Sequence, residues 1–430
     1  MKRNHFILLG AWLGLMLPFS VTAAEEEGAT DLVSAITSGK ATFSGRYRLE
    51  HVSDDDYSLD QDPEFVPSKD ADASTLRLRL NYRTGQWNGW SGFAEFDHVF
   101  HVLLDDFNSG GGTSPNRSPG PDQGGYSTVA DPEGSDMNQL YLDYAANDDW
   151  KFRFGRQRIL LDNQRFVGGV GWRQNEQTYD AFTVNSSAIS KTKLSYSYMN
   201  NVRRIFGQTV PAGKAKLDGH LLNAKIDVSD SFSVTPYFYL LDYDKVHANS
   251  TETAGVRLAG NFEMGGGKIT YLGEFATQSD AGDNPTSYDA DYLHLNAAWA
   301  AENGLSVGLG FESLGADSSA GTAFRTPLAT LHAFNGWADQ FLGTPAAGLE
   351  DLYATVKFKA GKWNFTGVYH DFSSEIGSDD YGDEFDVSAG IKLGQRYGLL
   401  LKGAFFSHDS SSPLTKFDTD KFWVMLTASY

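Results

Sequence analysis

The sequence predicts an all-β chain: a transmembrane antiparallel up-and-down β-barrel of about 18 strands, with long extracellular loops and short periplasmic turns. Apolar and polar residues alternate along one segment after another from residue 41 onward. The connections between these segments are alternately short and long. The polar faces carry many charges, which cannot be buried in a dry core without partners. A wall with hydrocarbon outside and water inside satisfies both faces, so the pattern favours a membrane barrel over a soluble sandwich.

The N-terminus has the three parts of a secretory signal peptide. Lys2 and Arg3 form a basic start, residues 6–19 are apolar, and small residues follow at 21–24. An exported chain without Cys must be stabilised by a large core or a closed sheet rather than by disulfides. We therefore expect a cleaved signal peptide at 1–24, a short periplasmic segment with a helix at 25–40, and the barrel at 41–430.

The clearest strand pattern lies in residues 75–83, which read T-L-R-L-R-L-N-Y-R. Leu76, Leu78 and Leu80 fall on one face, and Arg77 and Arg79 on the other, because successive side chains of a strand point to opposite sides. The same rhythm predicts strands at 41–52, 73–84, 90–103, 136–146, 149–158, 176–186, 190–200, 218–228, 231–243, 251–263, 266–278, 289–301, 304–313, 350–360, 362–372, 384–394, 397–408 and 419–430.

Aromatic residues cluster at the ends of these predicted strands, as in the girdles of outer-membrane barrels. Trp90, Trp150 and Trp363 are examples. The final strand ends on Tyr430 in phase with its apolar face. This ending resembles the signal read by the barrel-assembly machinery. We therefore expect outer-membrane lipid and that machinery as partners, and a monomer in the bacterial outer membrane.

The polar face is expected to line a water-filled lumen with a cationic bias. Cations in a pore lower the barrier for anions, and the fork of an arginine suits a carboxylate. Tyr237 and Tyr239 also face inward and could stack on sugar rings. Inward carboxylates such as Glu95 leave a second interpretation open, in which the wall charges only neutralise one another. The candidate pore-lining cations on the strands are Arg46, Arg48, Arg77, Arg79, Lys151, Arg153, Lys191, Lys193 and Arg257.

Two connections do not follow the strand pattern. Residues 155–180 are dense in arginines, amides and glycines, and we expect them to fold into the lumen as a constriction. Residues 325–349 form the most hydrophobic loop, which we expect to act as a plug or lid over the mouth. The first connection adds four candidate pore-lining residues: Arg156, Arg158, Arg165 and Arg173.

These two segments carry a resemblance to a known family. Residues 155–180, which begin G-R-Q-R-I-L-L-D-N-Q-R-F, and residues 326–353, which begin T-P-L-A-T-L-H-A-F-N-G-W, resemble the alginate export family of outer-membrane proteins. The resemblance implies an 18-stranded monomeric barrel whose electropositive, arginine-lined pore passes an anionic polyuronate. Acidic stretches at 54–56 and 105–106 depart from a purely electropositive route.

Composition and motifs argue against several other functions. The formal net charge of −20 argues against a nucleic-acid partner. The sequence has neither a His-Glu-x-x-His run nor a Gly-x-Ser-x-Gly elbow, so we expect no enzyme, no cofactor and no metal site. Calcium binding by the acidic loops stays open. Three functions follow: a channel for an anionic saccharide, a general small-solute porin with structural wall charges, or a surface scaffold or adhesin.

Overall fold

The computed structural model describes residues 29–55, 69–110, 125–414 and 417–430. The predicted signal peptide, the first residues of the predicted periplasmic segment, Asp56 and the central part of the loop at 104–135 lie outside the described residues. No helix within the described ranges is long and apolar enough to cross a membrane.

A short helix precedes the barrel. Helix α1 spans Leu32–Thr37, inside the range predicted from the sequence. It begins with a capping box, in which the Ser34 N–H donates to Asp31 Oδ1 at 2.8 Å and the Asp31 N–H donates to Ser34 Oγ at 3.2 Å. The Gly85 N–H donates to the Ala35 carbonyl at 2.8 Å, which ties the helix to a periplasmic turn.

Eighteen long strands form one sheet, as predicted, and every predicted boundary lies within four residues of the observed one. A two-stranded ribbon, β14 and β15, was not predicted. The strands are β1 Lys40–Asp55, β2 Ala71–Arg83, β3 Trp90–Asp106, β4 Gly134–Ala145, β5 Trp150–Gln157, β6 Thr178–Ser186, β7 Thr192–Arg203, β8 Lys214–Ser229, β9 Phe232–Tyr243, β10 Thr251–Met264, β11 Gly267–Asp280, β12 Asp289–Ala301, β13 Ser306–Leu314, β14 Ala316–Asp317, β15 Thr322–Ala323, β16 Leu349–Ala360, β17 Trp363–Ser373, β18 Asp380–Leu393, β19 Tyr397–His408 and β20 Asp418–Ser429.

The sheet closes on itself. Each long strand pairs antiparallel with its neighbours along the chain, and β1 pairs with β20, where Ser44 lies opposite Ser429. Closure leaves no unpaired sheet edge in the membrane, where backbone groups have no water to bind. The barrel is therefore of the up-and-down type, as the sequence predicts.

The alternation of faces also agrees with the prediction. On β2, Arg77 and Arg79 are buried inside the barrel, whereas Leu80 on the other face is 53% exposed. On β13, Leu309 is 66% exposed, and Glu312 on the inner face is buried. Exposure of large apolar side chains on one face is what a lipid-facing wall requires.

The shortest of the eighteen long strands are β5, β6 and β13, with 8, 9 and 9 residues. After β5 the chain leaves the wall early and turns into the lumen. Gly155 makes this possible, because it has a positive φ of 123° and an added Cβ would lie 2.3 Å from the Leu140 carbonyl oxygen.

Charge on the lipid-facing side of the wall should destabilise the barrel. We expect Leu258→Arg, in the middle of β10, to cost about 2–4 kcal/mol because its guanidinium would enter hydrocarbon. The measurement is the free energy of unfolding in lipid vesicles. The control is Ala259→Arg, one residue further along the chain on the lumen face. An equal loss in both variants would contradict the assignment of faces.

Candidate functional site

The arginines of β1 and β2 face the lumen, as predicted, but they are bound to carboxylates and backbone carbonyls rather than to open solvent. Arg79 donates two hydrogen bonds to the Asp97 carboxylate, with Nε–Oδ1 2.7 Å and Nη2–Oδ2 2.6 Å. Its third nitrogen, Nη1, donates to Glu176 Oε1 at 3.0 Å. Arg48 Nη1 lies 3.0 Å from Asp131 Oδ2, and Arg48 and Asp131 are both fully buried.

Two long connections fill the interior. We call residues 158–177 loop A and residues 324–348 loop B. They contact each other directly: the Gly168 N–H donates to the Leu328 carbonyl at 2.9 Å, and the Thr330 N–H donates to the Gln164 carbonyl at 3.0 Å. Both loops therefore fold inward, which agrees with the expectation of a constriction and a plug, and they form one layer inside the barrel.

Loop A is held by the basic wall of β1 and β2. Arg46 Nε donates to Gln174 Oε1 at 2.9 Å, and Arg46 Nη1 donates to the Gly171 carbonyl at 2.8 Å. Gln174 Nε2 in turn donates to Thr75 Oγ1 at 2.9 Å. Arg46 was expected to contact a passing anion. It instead donates hydrogen bonds to oxygen atoms of loop A.

Loop B is held by an acidic wall made of β13, β16 and β18. The Ala338 N–H donates to Glu384 Oε1 at 2.7 Å. Asn335 Nδ2 donates to Glu312 Oε2 at 2.7 Å and to Asp351 Oδ2 at 3.1 Å. The backbone and amide N–H groups of loop B are therefore paired with buried carboxylates, as buried polar groups require.

Charged side chains of loop A also reach the acidic side chains. Arg165 Nε lies 2.7 Å from Glu312 Oε1, and both groups are buried. Arg173 Nη1 lies 3.0 Å from Glu50 Oε2, and its Nη2 lies 3.3 Å from Asp339 Oδ2 in loop B. Removing one partner of such a pair leaves an uncompensated buried charge, so these pairs fix the loops in place.

Lys402 of β19 is enclosed where the two loops meet. Its Nζ lies 2.6 Å from His332 Nε2, and the rings of Trp172, Trp337 and Trp423 lie 4.3, 3.7 and 5.1 Å from it. These distances are those of cation–π contacts.

The protonation of His332 follows from these contacts. Its Nδ1 lies 2.7 Å from Asp339 Oδ1. Burial lowers the pKa of His332 to about 3, with Lys402 lowering it further and Asp339 opposing the shift. The imidazole is therefore neutral at pH 7, so its Nε2 accepts from Lys402 Nζ and its Nδ1–H donates to Asp339.

Two buried carboxylates beside arginines, Glu176 and Asp131, are held in their ionised form. Burial opposes ionisation of Glu176, but the charges of Arg158 and Arg79 outweigh it and hold its pKa well below the usual range. The same balance, with Arg48 and Arg173 as the cations, lowers the pKa of Asp131. Each carboxylate therefore compensates the arginines around it.

The inward tyrosines are covered. Phe166 of loop A packs against Tyr237, Tyr239 and Tyr292, with ring centroids 5.4, 6.3 and 5.1 Å apart. Tyr237 and Tyr239 are buried. They form part of the core between loop A and the wall, so the expectation of open stacking surfaces for sugars is wrong for this arrangement.

The structure places eleven of the thirteen predicted pore-lining cations on the lumen side and two elsewhere. Arg156 lies opposite Leu140 and Asp180 on the lipid-facing side, because β5 continues its alternation past Phe154. Lys191 lies in the β6–β7 turn with a positive φ of 59°. The inward residues are Arg46, Arg48, Arg77, Arg79, Lys151, Arg153, Arg158, Arg165, Arg173, Lys193 and Arg257.

A second group of cations faces the lumen near the periplasmic ends of the strands. Lys193 lies directly opposite Lys225 across β7 and β8. Only one member of the group, Lys225, has a carboxylate within 4.0 Å among the described residues, namely Asp227 at 3.6 Å. We call this group the lysine belt; it comprises Lys151, Lys193, Lys225, Lys268, Lys357, Lys359 and Lys392.

A cavity of about 360 Å³ lies at the extracellular side, between loop B and the loops after β7 and β9. Its lining includes Arg204, Arg325, Gln177, Thr322 and Tyr243. Arg325 donates to Thr322 Oγ1 at 3.0 Å. Neither arginine has a carboxylate within 4.0 Å in the part of the chain that the structure describes.

Comparison with known proteins supports this architecture. The family model for alginate export matches residues 114–312, which include loop A but not loop B. OccK8 (OprE) of Pseudomonas aeruginosa superposes with a TM-score of 0.68 at 14% identity, covering 92% of this chain and 99% of that one. The chain is a bacterial outer-membrane β-barrel with the fold of the outer-membrane porins.

Two further porin structures resemble this barrel. OccAB2 of Acinetobacter baumannii gives a TM-score of 0.67 at 14% identity, and a P. aeruginosa structure described as OpdK with vanillate gives 0.66 at 12%. Each alignment covers 92% of this chain and 99% of the other chain. No curated protein sequence matches it. Within the described ranges, no cluster of three or more His, Asp or Glu side chains is arranged to hold a metal ion.

The pair between Arg165 and Glu312 should hold loop A inside the barrel. We expect Arg165→Met to cost about 3–5 kcal/mol, because the Glu312 carboxylate would stay buried without its cation. The measurements are the free energy of unfolding and the rate of chymotrypsin cleavage within loop A.

A matched variant separates loop anchoring from general stability. Arg257→Met also removes a guanidinium that lies 2.6 Å from a carboxylate, but this pair, with Glu274, joins two wall strands. It should destabilise the barrel without exposing loop A. If loop A resists chymotrypsin equally in both variants, Arg165 is not its anchor.

Proposed function

We propose that this porin is a diffusion channel with a preference for anionic solutes, and that its substrates are acidic oligo- or polysaccharides such as polyuronates. The single observation that carries the proposal is the lysine belt. Most cations at mid-height are neutralised by carboxylates, whereas the belt presents ammonium groups to the periplasmic part of the lumen with one close acidic neighbour.

The belt is compatible with a selective field. Among the described residues, the acids that face the lumen at the same ends of the strands are Asp143, Asp227 and Glu263. Asp143 is itself engaged by Arg153, with Nε–Oδ1 2.7 Å. The remaining excess of positive charge raises the local concentration of anions and lowers their barrier to passage. Lysine ammonium groups on flexible stems can follow a moving carboxylate.

The proposed substrate class rests on two further observations. The alginate export family model covers 114–312, which contains loop A and four of the belt lysines. The extracellular cavity offers Arg204 and Arg325 without close carboxylates. A polymer that carries one carboxylate per sugar could engage cations at both ends of the channel. We further propose that the porin works as a monomer without a catalytic step.

A second candidate function is favoured by the filled interior. Loops A and B, packed together across the lumen, suit the passage of small solutes better than that of a polymer. The OpdK structure is described with vanillate, a small aromatic carboxylate. On this alternative the channel would pass small carboxylates, and the paired arginines would serve stability alone.

The preference for anions should depend on belt charges that face the lumen. We expect Lys193→Glu with Lys357→Glu to lower the ratio of anion to cation permeability by about threefold or more, since lumen potentials reach several kT. The measurement is the reversal potential in a planar bilayer under a salt gradient. The control is Lys191→Glu with Lys362→Glu, which makes the same charge change in periplasmic turns. Equal effects in both double variants would contradict the role of the belt.

The same bilayer measurement separates the two substrate classes. Block of the ion current by an oligouronate of several sugars, but not by a neutral oligosaccharide of equal length, supports the polyuronate. Block by benzoate-type anions alone supports the small-carboxylate channel.

A further inference from the structure

Three cations lie together on the outer face of the barrel, at the extracellular tip of the β7–β8 hairpin. Arg203 lies directly opposite Lys214, and Lys216 is the next outward residue of β8. The face is fixed by the residues between them: Val202 and Ala215, which are opposite each other, pack against the core inside the barrel. Arg203, Lys214 and Lys216 therefore point away from the lumen and toward the surrounding membrane.

This arrangement is unfavourable in isolation. Like charges directly opposite each other on paired strands repel. In the described ranges of the chain, none of the three cations has a carboxylate within 4.0 Å, and Arg203 Nε is buried without a hydrogen-bond partner. Acids lie around the three cations without pairing with them directly. Asp180 is bound by Arg156, with Nε–Oδ1 2.8 Å, and by Asn201 Nδ2 at 2.8 Å. Asp218, the next outward residue after Lys216, accepts from Tyr198 at 2.7 Å, and the Asp244 N–H donates to the Lys216 carbonyl at 3.1 Å. The three cations thus have acids in their surroundings but no close ion pair in the described part of the chain.

Their height on the barrel matches the headgroups of the outer leaflet. Below them on the same face, Tyr198 donates to Asp218 Oδ1 at 2.7 Å and Tyr196 Oη lies 2.8 Å from His220 Nδ1. Lower still, the outward side chains of β8 are apolar, with Leu222 42% exposed. Tyrosines mark the interface between hydrocarbon and headgroups. Lys216 lies two residues above Asp218, which is about 7 Å along a strand.

We propose that Arg203, Lys214 and Lys216 form a binding site for the phosphate group of an outer-leaflet glycolipid. Phosphate accepts the paired N–H groups of an arginine and the point charges of lysines. Asp218 and Asp242, opposite each other on the same face, lie just below and repel an anion from that level. They confine the phosphate to the upper edge, while the acyl chains run down the apolar wall beneath. The site is on the outside of the barrel and does not depend on what passes through the lumen.

The test uses the detergent-purified porin and lipid A carrying two phosphates, with binding followed by native mass spectrometry. We expect Lys214→Gln with Lys216→Gln to weaken binding by about thirtyfold, the effect of removing two cations beside an anionic headgroup. The same lipid stripped of its phosphates should bind the unaltered protein as weakly as the variant binds the phosphorylated form. The matched control is Lys191→Gln with Lys362→Gln, which should bind the phosphorylated lipid as the unaltered protein does.

The following results would overturn the proposal. One is that both double variants bind lipid A equally well. Another is that the unaltered protein binds the dephosphorylated lipid as tightly as the phosphorylated one. A third is full competition by millimolar inorganic phosphate, which would indicate a site for a free ion. Heat-dependent migration on gels shows that each variant is folded. Ion selectivity in the planar bilayer should be unchanged in Lys214→Gln with Lys216→Gln, so failure here and failure of the channel proposal are separate outcomes.

Discussion

Charge pairing inside the barrel is the constraint on which the rest of this structure depends. A guanidinium or carboxylate withdrawn from water is tolerated only when its partner is close and its hydrogen bonds are complete. Arg79 with Asp97 and Glu176, and Arg165 with Glu312, satisfy this condition. One member of most such pairs belongs to loop A. The wall charges are therefore compensated only when loop A folds into the lumen. The barrel wall without its inner layer would hold unpaired charge.

The two walls that receive the loops have opposite character. Arg46 on the basic wall donates to carbonyl oxygens of loop A, whereas Glu384 on the acidic wall accepts from an N–H group of loop B. Backbone carbonyl groups thus face the arginines of the basic wall, and backbone N–H groups face the carboxylates of the acidic wall. The aromatic residues around Lys402 close the middle, where the two loops meet. Cations without a close carboxylate among the described residues, such as Lys193 and Arg325, lie toward the two ends of the lumen.

The barrel itself could be predicted from the sequence because its determinant is local. A lipid-facing strand must alternate, and Leu76, Leu78 and Leu80 against Arg77 and Arg79 show this within five residues. The inward folding of residues 155–180 and 325–349 was also predictable, since their composition departs from strand periodicity. These signals needed no knowledge of distant contacts.

The roles of individual arginines could not be predicted in the same way. Arg165 and Glu312 are 147 residues apart in sequence, and no periodicity connects them. The alternation that correctly placed Arg153 inward was not extended past Gly155, where Arg156 continues it to the outer face. The lysine belt was visible only in part, because its members come from six different strands and gather only when the sheet closes.

The short strands β5 and β6 have a consequence for the surrounding membrane. Strands of 8 and 9 residues, tilted by about 45°, span roughly 20 Å, less than the hydrocarbon thickness of an average bilayer. Hydrophobic mismatch on this side is relieved by local thinning of the bilayer or by a tilt of the barrel axis. With β13 equally short elsewhere on the barrel, the wall meets the bilayer at unequal heights around its circumference.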